Sequence, residues 1–144
     1  MKNIFRLGLM ATILAAFTFA SCSKDDDEIK SDLIGKWIGT TTEIYCDGDL
    51  FLSIKDRHTS EKYDLWEFKS NGTAERIDKS TGTITKHETY TFSLIDNTIE
   101  MINDSSKDKM FFEFDVKGND LTLTSTDRVD GTTFVSVQHF IRKK

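Results

Sequence analysis

Few side chains in this sequence stand where they could make or break bonds. Cys46 lies in Tyr45-Cys46-Asp47-Gly48-Asp49, flanked by acids and lacking the cationic neighbour that activates a nucleophilic thiol. A structural role is expected for it. His58, His87 and His139 fall in three different segments with no Cys, Asp or Glu at ligand spacing, so no zinc site, other metal or cofactor is expected. No glycine-rich phosphate loop, nucleophile elbow or His-Glu-x-x-His helix is present. Carboxylates are plentiful, but a glycosidase-like pair would have to be assembled by the fold, and most acids on so acidic a chain belong to solvated faces. The expectation is a protein without catalytic residues, not an enzyme.

The remaining chemistry is at Cys22. Met1 to Arg6 forms a short basic start and Leu7 to Ala20 an apolar run, shorter than the roughly eighteen residues a membrane-spanning helix needs. The run ends in Phe19-Ala20-Ser21-Cys22, which resembles a lipobox, where small residues admit the signal peptidase and the thiol accepts a diacylglyceryl group. Residues 1–21 are therefore expected to be a lipoprotein signal peptide, with Cys22 the palmitate-bearing membrane attachment. The competing reading is an ordinary secretory signal cleaved near Ala20, which leaves Cys22 able to pair with Cys46. After Cys22 comes Ser23-Lys24-Asp25-Asp26-Asp27-Glu28. It resembles the acidic signal that sends lipoproteins of the Bacteroidetes to the outer face of the outer membrane, and it also suits a solvated tether, since consecutive acids repel and resist burial.

Charge narrows the partners. Two of the 19 Lys and Arg precede Cys22 and all 24 Asp and Glu follow it, which leaves 17 bases against 24 acids, net −7, in the mature chain. Nucleic acid is excluded as a partner, as is electrostatic adsorption to anionic lipid through basic patches. Membrane attachment falls to the lipid.

The elements that would position any site are strands. From Ile34 onward, short β-branched and aromatic stretches alternate with turn signals at Asp47-Gly48, Asn71-Gly72, Thr81-Gly82, Asp96-Asn97, Gly118-Asn119 and Asp130-Gly131. Asn71-Gly72 is the strongest candidate for a type I′ turn. Polar breaks near 57–61 and 104–107 bring the count to about nine extended segments, near 34–45, 50–56, 62–69, 73–79, 83–95, 98–103, 109–116, 120–126 and 132–142. The one helical candidate is a turn at Ser31 to Gly35. Alternation puts Trp66 and Phe68 on one face, and likewise Tyr90 with Phe92, and Phe112 with Phe114. Consecutive hairpins with one apolar face each suit an all-β, up-and-down antiparallel barrel, with a β-sandwich as the alternative. One domain, 33–144, follows a tether at 22–32.

Gly35-Lys36-Trp37, opening the first strand, resembles the Gly-x-Trp signature of the lipocalins, and Arg142 in Phe140-Ile141-Arg142 stands where that family has a basic residue across the indole. The resemblance covers Leu33 to Lys144 and is to the lipocalin-like domains of bacterial lipoproteins. The Thr-Asp-Tyr-like segment and long C-terminal helix of secreted transport lipocalins are missing. It implies that Trp37 and Arg142 close the barrel and that Trp66, Phe68, Tyr90, Phe92, Phe112 and Phe114 are candidates to line a cavity. The expected function is an envelope-anchored module binding a small apolar or amphipathic molecule. The alternative is a protein-interaction or structural module with a filled barrel.

Overall fold

The computed structural model describes residues 32–55 and 58–144. The expectations for the signal peptide, Cys22 and the acidic leader lie outside the described residues. Nine strands follow a helical Asp32-Leu33: β1 (Gly35–Cys46), β2 (Asp49–Lys55), β3 (Tyr63–Phe68), β4 (Thr73–Ser80), β5 (Thr83–Ile95), β6 (Thr98–Asn103), β7 (Lys109–Lys117), β8 (Asp120–Val129) and β9 (Thr132–Arg142). All pair antiparallel, and β1 closes on β9 through a ladder from Trp37↔Arg142 to Cys46↔Phe134. The result is a closed eight-stranded barrel with one extra strand, not a sandwich. Among the described residues no helix is long and apolar enough to cross a membrane.

The extra strand is β2. Twelve-residue β1 is too long for six-residue β3, so the two short strands share one edge of it: β3 pairs with Gly35–Ile38 and β2 with Thr41–Cys46. They run in the same direction, end to end, so they form no hairpin with each other. Every residue of β2 is exposed, including Leu50, Leu52, Ile54 and Phe51, the last at 72%.

Most hairpins turn in two residues, with left-handed backbone at both positions of Asp47-Gly48, Thr81-Gly82 and Asp130-Gly131. Asn71-Gly72 departs from the expected type I′ turn. Gly72 N–H bonds Lys69 O (3.1 Å), only Gly72 of the pair has positive φ (81°), and Asn71 Oδ1 accepts from Thr73 N–H (3.1 Å). This is a three-residue loop in which Asn71 serves through its side chain and not through left-handed backbone.

The core fills one end of the barrel. Trp37, Trp66, Phe68, Tyr90, Phe92, Ile99, Met101, Phe112, Phe114, Leu121, Leu123 and Phe140 belong to a single buried cluster. The hairpins β3–β4, β5–β6 and β7–β8 lie at this end, the floor. The hairpins β1–β2, β4–β5 and β8–β9 surround the opposite end, the mouth.

Candidate functional site

At the floor, the Arg142 guanidinium lies 4.1 Å from the centroid of the Trp37 ring. Its Nη1 donates to Ile34 O (2.9 Å) and its Nη2 to Asp32 O (2.5 Å), while Trp37 Nε1–H donates to Leu33 O (2.8 Å). The last strand thus pins the segment that enters the first, across the barrel's end. Gly35 is part of this device. Its φ is +138°, and a Cβ there would stand 2.7 Å from Arg142 Nη1. Only glycine lets the guanidinium settle against the backbone.

Of the six aromatic residues expected around a cavity, none lines the polar cleft described below, and Phe112 lines a separate cleft of about 250 Å³ between β7 and β8. All are buried, between 1% and 8% exposed, and four of them touch directly. Trp66 stacks on Phe68 (5.9 Å between centroids) and lies tilted by 30° against Tyr90 (5.4 Å), and Phe68 meets Phe92 edge to face (5.4 Å). Alternation placed them correctly on the inner face; side chains from opposite walls then met and filled the space. Trp66, Phe68, Tyr90 and Phe92 thereby form a packed floor.

Above that floor the lumen is polar. Residues directly across a ladder share a face, so the row from Trp37 runs through Trp66 to Arg76 and Glu88, and the next row toward the mouth joins Asp64, Asp78 and Lys86. A cleft of about 250 Å³ opens here, lined by Thr42, Ile54, Lys62, Tyr63, Asp64, Arg76 and Asp78. Its far wall is β1 with the exposed strand β2.

Arg76 organises the cleft. Its Nε donates to Asp64 Oδ1 (3.1 Å) and its Nη2 to Asp64 Oδ2 (3.3 Å), and the guanidinium lies 5.5 Å from the Trp66 ring centroid. Partial burial works against its charge, but the Asp64 carboxylate outweighs this and its pKa is raised. Asp64 and Asp78 sit opposite each other as like charges, an arrangement the intervening Arg76 makes tolerable. Beside them Lys86 Nζ approaches Glu88 Oε2 (3.0 Å), which also accepts from Tyr90 O–H (2.6 Å). Burial, then this bond, pushes the Tyr90 phenol up to about 12. Glu88 is lowered: burial opposes its charge, but the bonds from Tyr90 and Lys86 prevail.

Beneath this layer Trp66 Nε1–H is buried and has no hydrogen-bond partner among the described residues. Trp37, its neighbour in the same row, is satisfied.

Nothing in the local sequence marks Arg76, Asp64 or Asp78 as luminal; each reads as one polar residue in a polar stretch. The available signal was parity, since all three are even-numbered neighbours of Trp66 and Ala74 on strands whose even positions face inward. His87 and His139 lie apart on the outer face, near Glu75 (3.4 Å) and Glu43 (3.6 Å) respectively. No group of three metal-binding side chains forms among the described residues. Cys46 is half-buried and free.

A family model described as a lipocalin-like domain matches residues 33–123, more than half the chain. No curated protein matches the sequence. Among solved structures, a lipocalin-like protein from Bacteroides uniformis superposes with a TM-score of 0.50 at 20% identity, covering 78% of this chain and 99% of that one. An uncharacterized protein from Bacteroides eggerthii superposes with a TM-score of 0.50 at 14% identity, over 77% and 99% of the two chains.

Proposed function

The chain belongs to the lipocalin-like domain family, and from that premise we propose that it is an envelope-anchored lipoprotein whose barrel mouth holds a small amphipathic molecule. The observation that carries this reading is the cleft above the solid floor. At about 250 Å³ it lies just below the roughly 300 Å³ at which small-ligand pockets begin, and it is open toward the mouth. Its two walls differ in character. Arg76, Asp64, Asp78 and Lys62 offer charged and hydrogen-bonding groups at the inner end, while Ile54 lines the cleft and Leu52 shares its face of β2. A molecule with a polar head and an apolar remainder matches both, head inward. The mutual packing of Trp66, Phe68, Tyr90 and Phe92 favours this arrangement over an apolar ligand sunk among those four rings.

Anchorage is supported by the signal at Phe19-Ala20-Ser21-Cys22, and display at the cell surface by the acidic residues that follow. The reading is of a binding protein without catalysis, tethered where it meets its ligand.

The chain has two tryptophans, one under the cleft and one at the closed end, so two indole N–H signals in a ¹⁵N NMR spectrum report the two places separately. Adding an organic extract of the host's envelope is expected to move the Trp66 signal and leave that of Trp37 in place. Movement of neither, or of both equally, would reject luminal binding.

A further inference from the structure

We infer that the luminal cleft selects a neutral, hydroxyl-rich head group, of the saccharide or polyol class, over a carboxylate or phosphate. This rests on the luminal binding reading above and adds the chemistry of its ligand.

The first ground is charge. The cleft and the two luminal rows beside it carry Lys62, Arg76 and Lys86 against Asp64, Asp78 and Glu88, three of each sign, inside a domain whose remainder is acidic. Arg76 is already engaged with Asp64, and Lys86 with Glu88. An incoming anion finds its two best cations committed and the carboxylates of Asp64 and Asp78 beside it in the same cleft. A free cation meets the mirror problem at Arg76 and Lys62. A neutral head group meets neither.

The second ground is hydrogen-bonding capacity. Two of the five N–H donors of Arg76 are spent on Asp64. The others share the cleft with the Asp78 carboxylate two residues along the same strand face, about 7 Å away along the backbone. Lys62 adds donors and Thr42 a hydroxyl that both donates and accepts. A site alternating strong donors with strong acceptors is matched by groups that do both at each atom, which hydroxyls do and carboxylates do not. Beneath it lies Trp66, whose buried Nε1–H has no partner among the described residues. The apolar residues of β2 at the rim suit an aglycone.

Three probes separate the classes in ¹⁵N NMR titrations of the Cys22-free domain: octyl glucoside below its micelle threshold, methyl glucoside, and decanoate. Both glucosides are expected to move the amides of Lys62, Asp64, Arg76 and Asp78 and the Trp66 indole signal, octyl glucoside at the lower concentration, while decanoate leaves them in place. Arg76→Gln should weaken octyl glucoside by about tenfold or more, the effect of losing hydrogen bonds from a charged group. Should Arg76→Gln fail to fold, Asp78→Asn serves. It removes a facing carboxylate and should admit decanoate while weakening the glucosides. Decanoate moving these signals in the unaltered domain more readily than octyl glucoside overturns the head-group class and keeps the site. Movement with the envelope extract but with neither glucoside does the same. Movement with no probe and no extract overturns the luminal reading itself.

Discussion

Replacing Arg142 by methionine tests barrel closure through one side chain. The substitution keeps an unbranched apolar stem against Trp37 and removes the guanidinium stacked 4.1 Å from the ring, with its bonds to Ile34 O and Asp32 O. A well-desolvated cation–π contact contributes about 2 kcal/mol, and a hydrogen bond from a charged group about 1.5–3 kcal/mol. Arg142 is half-buried, so solvent screening reduces each contribution, while methionine recovers part of the packing. The expected loss is about 3 kcal/mol. For a domain of this size that lowers the melting temperature by roughly 12 °C. Arg142→Lys should recover less than half, because an ammonium cannot stack flat and reach two carbonyls together. Urea unfolding followed by tryptophan fluorescence reads both variants. A loss below about 1 kcal/mol for Arg142→Met, or full recovery by lysine, would refute the closure reasoning.

Gly35→Ala, which drives a Cβ toward Arg142 Nη1 at φ +138°, should cost about 2 kcal/mol, within the range for strained backbone; a neutral result in the same urea assay would mean the guanidinium moves aside freely. Trp37→Phe should destabilise more than Trp66→Phe by about 1 kcal/mol, because only the first strands a bonded carbonyl, Leu33 O, while the second deletes a donor that has no partner. Equal losses would show that Trp66 Nε1–H is satisfied in solution. Tyr90, raised to about 12 from an unfolded value of 10.0, holds its proton more tightly when folded, so its contribution to stability is intact below pH 10 and is lost as pH rises through 12. Ultraviolet difference titration should show its phenolate forming last among the three tyrosines, and Tyr90→Phe should erase that late step; a late step that survives Tyr90→Phe would contradict the assignment. Cys22→Ser should release the protein from membranes and abolish palmitate labelling if the anchor is as proposed, whereas undiminished membrane association would reject it.

Strand positions and lengths were legible because period-two patterning and turn dipeptides are both local, whereas strand order was not. The Lys109–Lys117 strand, with Phe112 and Phe114 inward, is visible in nine consecutive residues. Local signals could not place β2. Its alternation resembles that of its neighbours, and its exposure follows only from β1 being long enough to hold two strands on one edge. Nor could they separate cavity from core. Parity assigned the inner face of the barrel, but whether Trp66, Phe68 and Tyr90 enclose space or consume it depends on what the opposite wall projects. The binding candidates were hardest, because Arg76 becomes luminal only through its register with Trp66. In sequence, Glu75-Arg76 is an ordinary pair of surface charges. Trp37 and Arg142 were legible despite being 105 positions apart because a known family pattern linked them.

The central claim is that the polar lumen above the aromatic floor holds a small molecule. Native mass spectrometry of the protein purified from its own host without detergent addresses it most directly, comparing the unaltered chain with Arg76→Gln. The prediction is a single co-purifying mass adduct on the unaltered protein that is lost or strongly depleted in the variant. An unliganded spectrum across several growth conditions, or an adduct indifferent to Arg76, would contradict it.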